Sequence, residues 1–230
     1  MARAFTASCV ALTVLLAAPS VVAAKAPDTW DNLIKVNSKK LEAVYLLPNA
    51  DFRPYTKVML DPAQVAFQQN WRSNINDASV GLDNRITDAD ATKIADTARS
   101  GFESIFAKAY ADAGYQVVTT PGPDVLRLVT GVLNLSIDAP DTGMSMATTY
   151  TAEAGEATVV IEARDSLTNA VLGRAVDQRA AGDMPGMRTS ATNREDFEDL
   201  FKTWAKSSVQ GLNELKAMSP IDAEGQPSKR

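Results

Sequence analysis

Short β-prone runs and long helical stripes alternate along this chain. Lys57 to Asp61 and Gln64 to Phe67 read as strands around a turn at Pro62. From Asp88 to Ala113, apolar residues recur three and four apart at Ile94, Ala98, Phe102, Ile105, Phe106 and Ala109, which predicts a helix with one buried face. Thr87 and Asp90 mark its start: the threonine oxygen can accept from a free backbone N–H while the acidic residues meet the positive helix end. Gly114 marks its end as a left-handed cap. Tyr115 to Val118 and Val125 to Ile137 follow as extended segments on either side of Pro121-Gly122-Pro123. Ala157 to Ala163 and Val171 to Gln178 predict a hairpin around Asp165 to Asn169, with Asn169 suited to a positive backbone angle. A second helix is predicted over 193–218 from the capping-box spacing of Thr192 and Glu195. Phe197, Leu200, Phe201, Trp204, Ser208, Leu212 and Leu215 trace its inner face.

This pattern predicts a single α+β domain: a largely antiparallel sheet with two main helices packed on one face. The expected layout is a signal peptide at 1–24, a lead-in segment at 25–39, the domain at 40–220 and a flexible tail at 221–230. Residues 68–86 read as polar apart from Trp71, and 138–148 and 180–191 read as loops.

The opening residues change the picture of where the domain works. Arg3 precedes an apolar run from Cys9 to Val22 that ends in Ala23 and Ala24, the pattern of a secretion signal with cleavage after Ala24. The run is shorter than the roughly 20 residues a membrane span needs and contains Pro19, so no stable membrane anchor is expected. Cys9 precedes the apolar stretch, with Thr6 three places back, so it does not fit a lipoprotein cysteine. Removing 24 of the 230 residues leaves 206, and a domain of that size buries roughly 70% of its unfolded surface without disulfide staples. Taking Arg3 from 23 basic residues leaves 22 against 28 acidic ones. That acidity argues against nucleic acid as a partner, because phosphate backbones are bound by clustered Lys and Arg.

Composition then narrows the chemistry. There is no histidine, and the one cysteine lies in the expected signal. Ser-His-Asp and Cys-His nucleophilic sites, histidine acid–base catalysis and ordinary zinc sites therefore have no residues to build them. Carboxylate pairs, Ser-Lys pairs and oxygen clusters for calcium or magnesium remain open. Asp138, Asp141 and Thr142 are a possible cation cluster but lack the spaced acidic loop of a calcium hand, and they read as a solvated turn. Gly182 to Gly186 lacks the lysine of a phosphate cradle and reads as a surface loop. Arg164, Asp165 and Arg174 to Arg179 read as cross-strand ion pairs on a wet sheet face. Trp71 beside Arg72 is the one candidate surface contact, set against a tryptophan lodged over the edge of the core.

Several motifs in order carry a family resemblance. Ala43-Val44-Tyr45, Pro48-Asn49-Ala50-Asp51-Phe52, Tyr55, Val58-Met59-Leu60-Asp61-Pro62, Val65-Ala66-Phe67 and Trp71 form its first part. Asp112-Ala113-Gly114-Tyr115, Pro121 to Arg127, Glu162-Ala163-Arg164-Asp165 and Gly173 to Asp177 form its second. Together they resemble the bacterial domain family of unknown function DUF3313 over roughly Lys40 to Pro220. The resemblance implies a cell-envelope protein with an α/β domain, often a lipoprotein, and it carries no catalytic residues.

The expected role is an exported, periplasmic or secreted envelope accessory or binding module without catalytic machinery or cofactor, working on an envelope protein. Two alternatives stand beside it. One is a hydrolase of envelope polysaccharide using Asp61 and Asp177, both near strand ends. The other is a small-ligand carrier.

Overall fold

The computed structural model describes residues 27–78, 85–138, 149–151, 153–182, 186–188, 190–222 and 224–227. Its elements run β1 (Thr29–Trp30), β2 (Leu33–Val36), β3 (Ala43–Leu46), β4 (Lys57–Leu60), β5 (Gln64–Phe67), α1 (Trp71–Ala78), α2 (Asp88–Asp112) and β6 (Gln116–Val118). They continue with β7 (Val125–Ile137), β8 (Thr149–Thr151), β9 (Gly155–Asp165), β10 (Val171–Ala181), β11 (Gly186–Arg188) and α3 (Ser190–Met218). The fold is the expected α+β type. Nine strands form one mostly antiparallel sheet in the order β1-β2-β3-β10-β9-β7-β4-β6, with β5 also on β7, and β8 and β11 form a separate pair.

β7 is the spine of the sheet. Its free edge is shared: β4 pairs in parallel with Val125 to Leu128, and β5 pairs in parallel with Gly131 to Leu135. Along its other edge it pairs antiparallel with β9. The register with β9 slips between Leu133 and Ser136, where Asn134 adopts a φ of 51°. The extra residue keeps the buried side chains Val132 and Leu135 on one face although they stand three apart, which an unbroken period of two would forbid.

That face is covered by the two long helices. α2 begins with the expected capping box: Thr87 Oγ1 accepts from the Asp90 N–H at 3.2 Å, and the Thr87 N–H donates back to Asp90 Oδ2 at 2.9 Å. It ends with Gly114 at φ 89°, and the Tyr115 N–H donates to the Tyr110 carbonyl at 3.0 Å. The rings of Tyr110 and Tyr115 meet at 5.7 Å, the apolar contact that accompanies such a cap. Phe102 stacks on Phe106 at 4.1 Å and meets Phe201 of α3 edge-on at 5.4 Å, which joins the helices to each other over the sheet. α2 lies over β4, β5 and β6, while α3 lies over β9 and β10. α3 starts at Ser190, two residues before the expected cap at Thr192. Among the described residues, no helix is long and apolar enough to cross a membrane.

Several segments are more ordered than their sequence pattern suggests. The expected lead-in supplies β1 and β2, and Leu33 is buried with Ala43 and Tyr45 in a small cluster of its own. α1 forms within the polar stretch, with Trp71 as its buried residue. Residues expected as a flexible tail are docked: Ile221 is buried, its N–H donates to the Ala50 carbonyl at 2.9 Å, and it bridges to Pro227.

A candidate ligand cavity between the sheet and the last helix

The inner face of α3 loses its bulk in its second half. Trp204 is followed by Ser207, Ser208 and Gly211 before Leu212, Leu215 and Met218 resume the apolar stripe. Opposite them the sheet also presents small residues, Ala163 on β9 with Gly173 and Ala175 on β10, beside Val44, Leu46, Leu126, Leu128 and Ile161. Small side chains facing small side chains leave an opening of about 620 Å³ walled mainly by apolar groups. Protein interiors normally close such gaps to crystal-like density, and ligand pockets of roughly 300–1,000 Å³ are the usual exception.

Two glycines show the contrast between contact and space. A side-chain carbon added at Gly173 would stand 3.1 Å from Leu46 Cδ2 and 3.2 Å from the Tyr45 carbonyl oxygen, so β3 crosses close above it. At Gly211 an added carbon meets nothing within 4 Å.

The one polar contact across the interior wall joins α2 to α3: Tyr110 Oη and Ser208 Oγ lie 2.7 Å apart. Burial pushes the Tyr110 phenol far above its ordinary range, so it stays neutral.

The mouth is formed by the turn between β2 and β3 and by the docked C-terminal turn. Ser38 Oγ accepts from the N–H groups of Lys40 and Leu41 at 3.2 and 3.1 Å. Arg179 Nη2 donates to the Lys40 carbonyl at 2.8 Å. The Lys40 ammonium pairs with the Glu214 carboxylate across the opening, with their side chains 32% and 61% exposed. Asp222 Oδ1 accepts from the N–H groups of Glu224 and Gln226 at 3.0 and 2.7 Å, and Gly225 rests against Val36.

The residues singled out from sequence fall elsewhere. Asp177 lies under α3, where its carboxylate accepts from Trp204 Nε1 at 2.8 Å, from the Glu42 N–H at 2.9 Å and from Arg179 Nε at 2.5 Å. Asp61 follows β4 on the uncovered side of the sheet, where Arg127 Nη2 donates to it at 2.7 Å. The two carboxylates are on opposite faces of one sheet, so they do not form the pair a glycoside hydrolase needs. Trp71 is 3% exposed, stacked on Phe67 at 4.3 Å with its Nε1 donating to the Ile137 carbonyl at 3.0 Å. It offers no exposed aromatic surface. Arg72 pairs instead with Asp88 at the start of α2. Asp141 and Thr142 lie outside the described residues, as does most of the Gly182 to Gly186 loop. Among the described residues, no group of acidic side chains is arranged to hold a metal ion.

The expected wet-face ion pairs are present in part. Arg174 and Glu162, register partners on β10 and β9, are joined on the uncovered face, where Arg174 also reaches Asp31 at 3.0 Å and lies 4.1 Å over the Trp30 ring. Asp165 caps the hairpin, accepting from the N–H groups of Leu167 and Thr168 at 3.1 and 2.8 Å. Arg179 is the exception: it belongs to the covered face through Asp177, because alternation along β10 puts 177 and 179 on the side opposite 174. The cavity residues were missed because they carry no charge pattern. The one available signal was the run of small residues, Ser207, Ser208 and Gly211, in an otherwise apolar helix stripe.

Three solved structures are similar at low identity. The PelC dodecamer from Paraburkholderia phytofirmans matches at 13% rounded up to 14% identity across its two crystal forms, and the form at 14% covers 71% of this chain and 95% of that one with a TM-score of 0.36. A DUF330 protein from Xanthomonas campestris is 11% identical, covering 75% and 91%, with a TM-score of 0.41. A Helicobacter pylori homolog of neuraminyllactose-binding hemagglutinin is 7% identical, covering 75% and 95%, with a TM-score of 0.35. No curated protein matches the chain. The family model for proteins of unknown function DUF3313 matches residues 25–208, and the chain belongs to that family.

Proposed function

We propose that this protein is an exported binding module that holds a small, mainly apolar molecule between α3 and the covered face of the sheet. The observation that carries this reading is the 620 Å³ opening itself, framed by small residues on both walls and closed at its end by docked chain. A chain of this length has ample apolar residues to fill such a space, and Gly211 in mid-helix is a costly choice where alanine would fit. Export is supported by the signal pattern and by a family match that begins at Lys25, the residue that cleavage after Ala24 would expose.

The test uses protein starting at Lys25 and the neutral fluorescent probe N-phenyl-1-naphthylamine. Saturable binding at one site per chain is expected, with loss of binding in Gly211→Phe while its melting temperature and circular dichroism stay near those of the parent. Equal binding by parent and filled variant, or no saturable binding, overturns the reading.

A further inference from the structure

We infer that the ligand is a single-chain amphiphile with an acidic head, its tail between α3 and the sheet and its head at Lys39 and Lys40. This rests on the cavity being a ligand site. The lining of α3 from Ser207 to Met218 spans about 16 Å of helix axis, a long and narrow wall rather than a round one. Along it, Tyr110 and Ser208 satisfy each other, so the interior does not call for a polar group on the part of the ligand that lies there.

Charge gathers at the other end. Of the lining residues, the charged ones are Lys39, Lys40, Arg174 and Glu214. Arg174 has its guanidinium committed to Glu162 and Asp31 on the uncovered face, which leaves two ammonium groups against one carboxylate at the mouth. This local excess of positive charge stands in a protein whose formal net charge is −5. Lys39 is exposed and forms no ion pair among the described residues. Lys40 is paired with Glu214, but a pair this exposed is weak and can exchange partners. A ligand carboxylate or phosphate would take the place of Glu214 on Lys40, with Lys39 beside it, in charge-assisted hydrogen bonds. An ammonium head would instead meet two like charges.

Carboxylate and phosphate heads share this chemistry, so both are tested. The mature protein is titrated with dodecanoate, monododecyl phosphate, dodecanol and dodecylamine below their micelle concentrations, by displacement of the neutral probe. One or both acidic ligands should bind at least about tenfold more tightly than the alcohol, the better of the two identifying the head, and the amine should bind most weakly. Lys39→Gln/Lys40→Gln should lose that preference and keep its affinity for dodecanol. Glu214→Gln should bind acidic ligands more tightly. Added salt should shrink the preference. From decanoate upward, affinity should rise roughly fourfold per methylene until the cavity is full. Equal binding of acid and alcohol, or an unchanged preference in the double lysine variant, overturns the head-group assignment while the cavity reading stands. Failure of all four ligands to displace a probe that Gly211→Phe does exclude also overturns it; failure of the Gly211→Phe control itself sinks the cavity reading first.

Discussion

The indole Nε1 of Trp204 donates a 2.8 Å hydrogen bond to Asp177 Oδ2 beneath α3, where Trp204 is fully buried and Asp177 is 4% exposed. The same carboxylate holds the backbone N–H of Glu42, so one side chain ties the last helix, β10 and the start of β3 together. Asp177→Ala should destabilise the fold by about 3–5 kcal/mol, because it leaves buried donors and the Arg179 charge without their acceptor. Trp204→Phe should cost about 1–3 kcal/mol. Urea midpoints at constant slope measure both, and a change under 1 kcal/mol for Asp177→Ala would show that the carboxylate is dispensable.

Asp61 makes the contrasting case. Its pair with Arg127 leaves the side chains 21% and 34% exposed, and such pairs contribute about 1 kcal/mol or less. Asp61→Asn should therefore leave the urea midpoint almost unchanged. It should also leave probe binding unchanged, since Asp61 is on the face away from the cavity.

Acid stability should depend on Asp165. The backbone N–H of Thr168 is the largest influence holding its carboxyl below the ordinary value of 3.8; burial opposes it, and the hydroxyls of Thr168 and Tyr55 and the N–H of Leu167 reinforce it. A folded-state value below the unfolded one gives stability that is present above 3.8 and is lost as pH falls through the lower folded value. Tyr55→Phe removes the 2.9 Å bond from the Tyr55 hydroxyl to Asp165 Oδ2, so its acid-unfolding limb should move to higher pH. At alkaline pH the sign reverses. Burial, followed by Asp165, raises the Tyr55 phenol above 10.0, so its contribution is present below 10.0 and fades as pH climbs toward the folded value. Thermal melts of parent and variant across pH separate the two limbs.

Asn134 should tolerate only residues that accept a positive φ. Asn134→Gly should change stability by a few tenths of a kcal/mol, whereas Asn134→Val should cost about 1–2 kcal/mol through the left-handed backbone. Deleting residue 134 should be far worse, because it turns Leu135 from the core to the uncovered face. Circular dichroism melts of the three variants give the ranking.

Gly211 and Gly225 should respond oppositely to alanine. At Gly211 the new methyl meets open space within a helix, so Gly211→Ala should stabilise by about 0.5–1 kcal/mol. Gly225 has a φ of 76° and an added carbon would stand 2.1 Å from Val36 Cγ1, so Gly225→Ala should loosen the C-terminal turn. Differential scanning calorimetry should show the two midpoints moving in opposite directions.

Local chemistry made much of this molecule legible from sequence. The Thr87 box, the Gly114 cap, the extent of β7 and the Asn169 turn are each determined by residues within a few positions of one another, and all four are found as read. The apolar stripes of α2 and α3 likewise determined which faces are buried, because helical period depends on spacing alone. β1, β2 and α1 were not legible, since strands of two to four residues and a polar helix gain their stability from neighbours distant in the chain. Tertiary structure alone decided the rest. It placed Asp61 and Asp177 on opposite faces, a matter of register and strand order, and it drew Trp71 into the core. It also set Ser207, Ser208 and Gly211 against Ala163, Gly173 and Ala175. A cavity is the space left where two distant sets of small side chains face each other, and no local pattern in either set records the other.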